Sequence, residues 1–514
     1  MSHERIVILD LGSQYTQLIA RRIRELGVYS EILRFDTPAA RLRELAPKGL
    51  VLSGGPASVY EHGAPRVDPG VFDLGVPVLG ICYGLQLMVE ATGGKVTAAV
   101  AREYGRTACR VDPTSPLFAA VPQDTTVWMS HGDVVQAVDG RFRAIASTGT
   151  TPFAAVVHAE RPLYGVQFHP EVVHSTHGRQ LLAGFVRGVC GCTSDWVMSS
   201  FVDEAVAAIR ARVGERGVVV CGLSGGVDSA VVALLLDRAI GPRLRCIFVD
   251  NGLLRLGEAQ EVEAAFRPRL GDRLQVIHAG ERFLAQLAGV TDPEVKRKRI
   301  GHEFVAVFKD AAAGVADAHF LAQGTLYPDV IESVSATGGP SVTIKTHHNV
   351  GGLPAELGFE LVEPLRQLFK DEVRRLGEEL GLEPHLIWRQ PFPGPGLAVR
   401  VLGEVTPARL ELVRRADAIV REELAQDPIH PTIWQGFAVL LPIQSVGVMG
   451  DARTYESTCV LRVVESQDGM TADWVRVPHE TLARISTRIT NEVRGINRVV
   501  LDITSKPPGT IEWE

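Results

Sequence analysis

The sequence predicts an α/β protein with two parallel-sheet α/β domains and a smaller α+β domain at the C-terminal end. Three observations support this fold class. Short runs rich in β-branched residues alternate with helical stretches up to a break in VCGCTSDWVMSS, around residues 190–200. A second series of the same kind follows and ends at the prolines and glycines of RQPFPGPGLAVR (389–400). Such alternation is typical of parallel sheets, and the remaining segment contains further strand-like and helical stretches.

The individual elements follow this pattern. In the first series we expect strands at RIVILDLG (5–12), VYSEILRF (28–35), KGLVLSGGP (48–56) and VPVLGIC (76–82), and further strands between residues 95 and 170. In the second we expect strands at RGVVVCGL (216–223), LRCIFVDNG (244–252) and AHFLAQGT (318–325), and a helix at AVVALLLDRAIG. The last segment predicts a strand at FAVLLPIQSVGV (437–448) and a helix at TLARISTRITNEV (481–493). The breaks predict domains over residues 1–195, 196–393 and 394–514.

Composition indicates a globular protein without a strong attraction for polyanions. The 514 residues are 46% hydrophobic and 22% charged, with a net charge of −7, so we expect no nucleic-acid partner and no membrane partner. The start, MSHERIVILDLG, has no apolar signal region, and no apolar run reaches membrane-spanning length. Seven cysteines in so long a chain do not predict a disulfide framework, so we expect a cytoplasmic protein.

The string Gly80-Ile-Cys82-Tyr-Gly84 has the form Gly-x-nucleophile-x-Gly at a predicted strand-to-helix turn. Such an elbow has a strained backbone and exposes its central side chain at the carboxyl edge of the sheet. The N-terminus of the following helix favours a thiolate. The alternative is a small buried core cysteine, but the flanking glycines favour a nucleophile.

A thiolate nucleophile needs a base, and GVQFHPEV (165–172) supplies one. In an extended strand, residues two apart point to one side, so we expect His169 to act as the base and Glu171 to orient its imidazole. Two glycines of LSGGP (52–56) end another predicted strand. Their N–H groups, with that of Tyr83, are expected to stabilise a developing oxyanion.

LSGGP, GICYG and FHPE, in this order, resemble the triad-type class I glutamine amidotransferases. The resemblance implies hydrolysis of glutamine to glutamate and ammonia through a cysteinyl thioester, with Cys82, His169 and Glu171 as the triad. It also implies an oxyanion site at Gly55 and Tyr83, and a glutamine site near Gln86, Ser130 and His131.

A second glycine-rich string predicts a phosphate site. It joins a buried strand to a helix, so its backbone N–H groups and the helix N-terminus favour an anion. There is no Gly-Lys-Ser/Thr, so this is not a Walker loop. The residues expected to bind ATP phosphates are Ser224, Gly225, Gly226, Val227, Asp228 and Ser229.

SGGVDS resembles the loop of the N-type ATP pyrophosphatases. This resemblance implies that ATP is cleaved between its α- and β-phosphates, that an oxygen is adenylylated, and that the loop holds pyrophosphate. Mg²⁺ is expected with the triphosphate. FVDNGLLR (248–255) and AQGTLYPDVIES (322–333) close further strands, and we expect them to line the same cleft. IKTHHNVGGLP (344–354) has the composition of an active-site lid, from which Lys345 could reach the phosphates.

From LDLGSQYTQLIARRIRE (9–25) to SKPPGTIEWE, the whole chain resembles the glutamine-hydrolysing GMP synthetases. The resemblance implies that XMP O2 attacks the α-phosphate of ATP, and that ammonia then displaces AMP from adenyl-XMP to give GMP. It also implies a homodimer formed through the C-terminal domain. The XMP contacts carried over by motif are Arg299, Gln435, Arg498, Lys506, Ile511 and Glu512. Lys296 and Lys298, in the same KRKR run as Arg299, are expected on a solvated basic face.

Other functions share parts of this pattern. Another glutamine-dependent adenylating amidotransferase, such as an NAD or asparagine synthetase, usually carries a different glutaminase. A tRNA-thiolating enzyme would favour a basic surface or paired catalytic cysteines in the loop domain. A nucleotide-sensing scaffold would have a broken triad or loop, and neither string is broken here.

Overall fold

The computed structural model describes residues 3–138, 140–333, 358–449, 452–466, 469 and 471–514. Its described residues fall into two units, each considered by itself below. The first contains residues up to Glu204 and a short segment that begins at Pro328, and the second contains Ala205–Tyr327 and the remaining C-terminal part. Among these described residues, the helices are all too short or too polar to cross a membrane.

The first unit is built around a mixed sheet. Its strands are β1 (Arg5–Asp10), β2 (Tyr29–Arg34), β3 (Gly49–Leu52), β4 (Val78–Ile81), β5 (Lys95–Val111), β6 (Asp124–Ala137), β7 (Phe142–Ser147), β8 (Ala155–His158) and β9 (Leu163–Val166). Its helices are α1 (Thr16–Arg24), α2 (Ala39–Leu45), α3 (Tyr83–Ala91) and α4 (Gly178–Ala183). The order is β2-β1-β3-β4-β9-β8-β7-β5-β6, parallel from β2 to β9 and antiparallel from β9 to β6.

The first four predicted strands are confirmed as β1–β4, and the strand-rich region 95–170 is confirmed as β5–β9. The expected parallel sheet is therefore only part of this unit, because the strand-rich region adds an antiparallel half. Every residue of β3 and β4 is buried, as is usual for parallel strands covered on both faces. This burial explains why both strands read as continuous apolar runs.

The second unit contains a parallel sheet and the helices around it. Its strands are β10 (Val218–Leu223), β11 (Leu244–Asp250), β12 (Leu274–His278), β13 (Ala318–Ala322) and β14 (Glu360–Val362), in the order β12-β11-β10-β13-β14. The helices are α6 (Val227–Ile240), α7 (Glu258–Leu270), α8 (Gly280–Leu287), α9 (Pro293–Ala313), α11 (Lys370–Glu379) and α12 (Pro384–Ile387). Helix α5 (Met198–Val213) begins in the first unit and continues into this one at Ala205, and α10 (Tyr327–Ser333) belongs to the first unit from Pro328 onward. The chain reverses its direction across the sheet at β10, and ligands bind beside the carboxyl end of such a strand.

The C-terminal part of the second unit is a small sheet covered by two helices. It comprises α13 (Pro407–Ala425), β15 (Gln435–Met449), β16 (Ala452–Glu465), β17 (Asp473–Trp474), α14 (His479–Glu492) and β18 (Ile496–Asp502). β15, β16 and β17 pair antiparallel, and β18 pairs parallel to β16. Val413, Leu461 and Ile485 join both helices and the sheet in one apolar core. The predicted α+β composition is confirmed.

Lys296 corrects one prediction. It is fully buried on α9 rather than solvated, and its Nζ donates to the Val401 carbonyl oxygen at 2.8 Å and to the carboxylate of Glu514. Burial lowers the pKa of Lys296, while Glu514 favours its charged form. The KRKR run was misleading because one lysine in it faces inward and meets a carboxylate far away in sequence. Lys298 is exposed, as expected.

Candidate active sites

Cys82 occupies the turn between β4 and α3. Its φ of 51° and ψ of −106° lie in a region that non-glycine residues rarely adopt. The Cys82 N–H donates to the Val166 carbonyl oxygen at 2.8 Å, and its own carbonyl accepts from the Gln86 N–H at 3.1 Å. These bonds hold the strained turn, which places the sulfur at the carboxyl end of β4 and the N-terminus of α3. The predicted elbow is therefore present.

Close backbone contacts explain the glycines around the elbow. A Cβ atom on Gly84 would lie 2.3 Å from the carbonyl oxygen of Leu52, and one on Gly80 would lie 2.6 Å from the Gly84 carbonyl oxygen. A Cβ on Gly55 would lie 3.2 Å from the ring of Tyr83. Gly55 and Tyr83, the two predicted oxyanion residues, are therefore neighbours.

His169 and Glu171 form a buried pair. His169 Nδ1 lies 2.7 Å from Glu171 Oε1, and the two residues are 4% and 1% exposed. The expectation that they share an extended strand is wrong, because β9 ends at Val166 and both residues lie in the turn that follows. The His169 N–H donates to the Trp128 carbonyl at 3.0 Å, and Ser175 Oγ donates to the His169 carbonyl at 2.6 Å. Hydrogen bonds of the turn, rather than strand alternation, therefore bring the pair together.

The surroundings of His169 favour an imidazolium. Burial disfavours the charged form, but the Glu171 carboxylate, together with hydrogen bonds to Cys82 and Glu171, raises the pKa of His169 to about 11. A histidine cation beside a cysteine stabilises the thiolate. The three side chains can therefore provide a nucleophile and a proton donor that are paired before substrate arrives.

Gln167 is a neighbour of the sulfur that the sequence interpretation missed. It is fully buried, and its Nε2 lies 3.7 Å from Cys82 Sγ. Its Oε1 accepts from Gln86 Nε2 at 3.3 Å, which connects the predicted Gln86 to Cys82. In the sequence, the position of Gln167 two residues before His169 could have indicated that it lies near Cys82.

The SHGD loop also reaches Cys82. The Ser130 carbonyl oxygen lies 3.8 Å from Cys82 Sγ. His131 is buried, with Nδ1 2.9 Å from the Asp133 carbonyl oxygen and Nε2 3.5 Å from the Glu103 carboxylate. Burial lowers the pKa of His131, so this ring is neutral where His169 is charged.

The phosphate loop lies between β10 and α6. Ser229 Oγ accepts from the Ser224 N–H at 3.1 Å and lies 3.0 Å from Ser224 Oγ. Gly225 has a φ of +76°, and Gly226 precedes the first turn of α6 in an extended conformation. The loop therefore presents backbone N–H groups and hydroxyls at a helix N-terminus, which is the arrangement predicted for phosphate binding.

Lys370 is a cation at this loop that the sequence interpretation missed. Its Nζ lies 2.5 Å from Asp228 Oδ2, and it is the first residue of α11. A Cβ on Gly324, just after β13, would lie 3.3 Å from the Asp228 Cβ. The segment 322–333 thus begins beside the loop, as expected. In the sequence, the position of Lys370 shortly after β14, a strand of the same sheet, could have indicated that it lies near the loop.

Gln435 and Glu512, both predicted XMP contacts, meet in the C-terminal part of the second unit. Gln435 Nε2 donates to Glu512 Oε1 at 2.7 Å. Arg400, which was not predicted, binds both oxygens of the same carboxylate, at 3.1 and 2.9 Å. Arg400 is fully buried and stacks over the Phe437 ring, 4.0 Å from its centroid. This bidentate pair fixes the orientation of the Glu512 carboxylate.

Comparisons with known proteins match the whole chain. The class-I glutamine amidotransferase profile matches residues 7–189, the NAD synthase profile residues 201–266, and the GMP synthase C terminal domain profile residues 422–513. The glutamine-hydrolyzing GMP synthase of Thermosynechococcus vestitus is 56% identical over 100% of this chain and 97% of its own length. The chain belongs to the glutamine-hydrolysing GMP synthase family. The corresponding enzyme of Heliobacterium modesticaldum is 55% identical, over 100% of this chain and 99% of its own.

Membership of the GMP synthase family decides between the alternatives raised by the sequence. The NAD synthase profile covers the phosphate-loop region alone, whereas the GMP synthases align from end to end. The resemblance to GMP synthetases is confirmed, and the NAD synthetase-like alternative is not supported.

The remaining residues predicted from the GMP synthase resemblance are more dispersed. Ile511 packs against the apolar cluster that contains Phe437. The other three have the following contacts: Lys506 Nζ to the Gly469 carbonyl at 2.7 Å, Arg498 to the Val446 carbonyl at 3.4 Å, and Arg299, exposed on α9, to the Gln286 carbonyl at 2.8 Å. The structure therefore brings Gln435 and Glu512 together, whereas each of the three basic residues contacts a different backbone carbonyl. Lys345 lies outside the described residues.

The donors at the phosphate loop fit a magnesium ion bound with ATP. Asp228 Oδ1 is buried and has no hydrogen-bond partner among the described residues. Within the same described ranges, no group of three or more histidine, cysteine or acidic side chains could hold a metal. Mg²⁺ commonly binds one or two carboxylates together with substrate phosphates, so one available carboxylate oxygen is sufficient.

Proposed function

We propose that this chain converts XMP to GMP with ATP and with ammonia from glutamine, releasing AMP, pyrophosphate and glutamate. One observation carries the proposal: the buried His169–Glu171 pair interacts with an elbow cysteine in a chain that aligns with a GMP synthase over 97% of that enzyme's length. Cys82, His169 and Glu171 are the proposed catalytic residues of the glutaminase reaction.

In the glutaminase reaction, the Cys82 thiolate attacks the carboxamide carbon of glutamine. The N–H groups of Gly55 and Tyr83 stabilise the oxyanion of the tetrahedral intermediate. His169 gives its proton to the leaving nitrogen, so that ammonia departs and the thioester forms. Neutral His169 then removes a proton from water, which attacks the thioester and releases glutamate. Glu171 holds the imidazole in place throughout.

In the synthetase reaction, XMP O2 attacks the α-phosphorus of ATP, and the bond between the α- and β-phosphates breaks. The loop residues Ser224–Ser229 hold the departing pyrophosphate through N–H groups and hydroxyls. Lys370 is placed to share its charge between Asp228 and these phosphates. When bound, Mg²⁺ would be held by Asp228 and would neutralise phosphate charge. Ammonia then attacks C2 of adenyl-XMP, and AMP departs.

XMP binds in the C-terminal part of the second unit in this proposal. The Glu512 carboxylate accepts from a purine ring N–H, and Gln435 lies beside it as a second polar contact. The basic side chains Arg498, Lys506 and Arg299 suit a phosphate. Ile511 offers an apolar surface for the base. Lys345 is proposed to contact the phosphates of ATP rather than XMP.

The exposed hairpin of β15 and β16 supports the proposal of a homodimer. Val446 and Tyr455 are cross-strand partners, and Val448 lies on the same face two residues further along. They are 50%, 60% and 73% exposed, which is unusual for a cluster of large apolar side chains. We expect Val448→Glu to halve the mass measured by analytical ultracentrifugation, while Val197→Glu, at an exposed site of the other unit, leaves it unchanged. A dimer that survives Val448→Glu would place the interface elsewhere.

The domain boundaries 1–195, 196–393 and 394–514 remain part of the proposal. Each of the three profile matches lies within one of these ranges, which supports them. A cytoplasmic location is also proposed, since all seven cysteines are free thiols. Limited proteolysis should cut first near residues 195 and 393 if the boundaries are correct.

The decisive experiment is turnover with XMP, ATP, Mg²⁺ and glutamine. We expect GMP, AMP, pyrophosphate and glutamate in equal amounts. Nicotinic acid adenine dinucleotide in place of XMP should give no amidated product. Formation of ADP and orthophosphate would contradict the adenylyl-transfer chemistry, and turnover of the dinucleotide would favour an NAD synthetase-like function.

A further inference from the structure

The segment Arg389–Pro391 contacts both the phosphate loop and strand β15. Arg389 Nη1 donates to the carbonyl oxygen of Gly225 in the phosphate loop, at 3.1 Å. Gln390 Oε1 accepts from the Gly436 N–H at 3.0 Å, beside Gln435 at the start of β15. Two adjacent side chains therefore contact two different sites. Arg389 reaches the proposed ATP site, and Gln390 reaches the start of β15 beside the proposed XMP site.

Arg389 is held by two carboxylates, of which Glu258 is buried. Its Nη2 lies 3.0 Å from Glu258 Oε1 and 3.4 Å from Glu261 Oε2, both at the start of α7. The Arg389 side chain is 13% exposed and that of Glu258 is 3% exposed. The other oxygen of Glu258 accepts from the Arg255 N–H at 3.0 Å. A buried carboxylate with two partners leaves the guanidinium little freedom, so the loop contact is fixed in direction.

The contacts continue from this point to Glu512. The Pro391 carbonyl accepts from Gln435 Nε2 at 3.1 Å and from Arg255 Nη2 at 3.2 Å. The guanidiniums of Arg255 and Arg400 both lie over the Phe392 ring, 4.3 and 5.2 Å from its centroid. Arg400 is the residue that binds the Glu512 carboxylate. Direct contacts thus run from the phosphate loop to the proposed purine-binding carboxylate.

We propose that Arg389 is a positioning residue for adenylyl transfer. It holds the phosphate loop at a set distance from the Gln435–Glu512 pair, so that the α-phosphorus of ATP and O2 of XMP meet in line. This inference rests on the proposed function. Misplacement of a reacting atom by 1 Å costs about 100-fold in rate, so the residue that sets this distance acts on kcat rather than on either binding step.

The geometry requires an arginine rather than any cation. One planar guanidinium bonds to the Gly225 carbonyl through Nη1 and to two carboxylates through Nη2. A lysine ammonium would keep the charge but would not span the same acceptors with a rigid fork. Arg389→Lys therefore separates a role in positioning from a role in charge.

The test measures ammonium-dependent GMP formation by Arg389→Gln and Arg389→Lys in the full chain. Both variants should lower kcat by about 10- to 100-fold, with the KM for ATP and the KM for XMP within about threefold of the unchanged enzyme. Pyrophosphate release in a single turnover without ammonium should slow by the same factor, because the affected step is adenylyl transfer. Glutamate formation from glutamine should persist.

The matched control is Arg282→Gln, which also removes an arginine paired with two carboxylates, Glu303 and Asp310, at a solvated site. It should leave kcat unchanged. Gln390→Leu removes the Gly436 contact at the other end of the segment while Arg389 stays in place. Gln390→Leu should lower kcat without raising either KM, as expected for Arg389→Gln. If Arg389→Gln does not fold, Gln390→Leu tests the proposal in its place.

Two results would overturn the proposal. Unchanged kcat in folded Arg389→Gln and Gln390→Leu would show that the segment does not set the reacting distance. A raised KM for ATP at unchanged kcat, restored by Arg389→Lys, would show that Arg389 acts as a charge on ATP. Absence of GMP formation by the unchanged enzyme would instead reject the proposed function, so the two failures are distinguishable.

Discussion

The proposed glutaminase site and the phosphate loop differ in how their polar side chains are held before a ligand binds. Cys82, His169 and Glu171 are all buried and interact with one another through their side chains. The phosphate loop is partly exposed, and Ser224 and Ser229 bond mainly to each other and to the loop backbone. In the first site the charged state of His169 is favoured before substrate binds, whereas the second site offers N–H groups and hydroxyls that can bind an anion.

This difference follows from the two kinds of chemistry. A covalent nucleophile must be a thiolate before substrate binds, so a proton acceptor and its orienting carboxylate must already be in place. Adenylyl transfer, like phosphoryl transfer, needs mainly positioning and charge neutralisation, which backbone N–H groups and cations provide when the ligand arrives. We therefore expect changes at the triad of the first unit to lower only glutamine-dependent GMP formation. Changes at the phosphate loop of the second unit should lower GMP formation with either glutamine or ammonium.

The largest expected effect separates the two sites completely. Cys82→Ala should lower glutamine-dependent GMP formation by at least about 10⁴-fold, because no other group can form the thioester. Ammonium-dependent formation should stay within about twofold, since the phosphate loop is untouched. Cys192→Ala, at another cysteine of the same unit, serves as the control. Equal loss of both activities in folded Cys82→Ala would contradict this division.

Asp228→Asn should affect both nitrogen sources alike. The change removes the partner of Lys370 and the proposed Mg²⁺ ligand, so we expect a loss of about 10³-fold with either glutamine or ammonium. Assays of GMP formation at saturating XMP and ATP would measure it. Asp272→Asn, at an exposed position of the same unit, should have no effect. Full activity of Asp228→Asn would sink the loop assignment.

Glu171→Gln should weaken the glutaminase site without abolishing it. The amide cannot stabilise an imidazolium as a carboxylate does, so glutamine-dependent turnover should fall by roughly 10²- to 10³-fold. Ammonium-dependent turnover should be unchanged. A comparison of kcat with each nitrogen source measures the effect, and a loss confined to the ammonium reaction would be incompatible with a triad role.

The smallest effect concerns stability. Because the pKa of His169 is raised to about 11, its stabilising contribution is complete below the unfolded value of about 6.5 and is lost as pH rises towards 11. The Tm of the unchanged protein should therefore exceed that of Glu171→Gln by a margin that shrinks from pH 7 to pH 10. Glu44→Gln, an exposed surface change, corrects for general alkaline destabilisation. A margin that grows with pH would contradict the charged state of His169.

Short sequence motifs predicted those parts of the molecule whose conformation depends on only a few neighbouring residues. GICYG predicted a strained elbow because only glycines tolerate the contacts at positions 80 and 84. SGGVDS predicted a loop at a helix N-terminus because its glycines permit a tight turn, and Gly225 does adopt a positive φ. The order of strands and helices predicted the α/β fold, since hydrophobic runs and turn residues are read over short distances.

Long-range contacts decided the rest. Lys296 read as solvated because KRKR does not reveal that Glu514 would meet it in the interior. Arg389 and Arg400 lie at the two ends of the predicted break RQPFPGPGLAVR, yet Arg400 binds Glu512 and Arg389 binds the phosphate loop. His169 and Glu171 were paired correctly for an incorrect reason, because a turn held by Trp128 and Ser175 replaces the expected strand. The charge and direction of a side chain depend on partners that are distant in sequence, and these become neighbours only when the chain has packed.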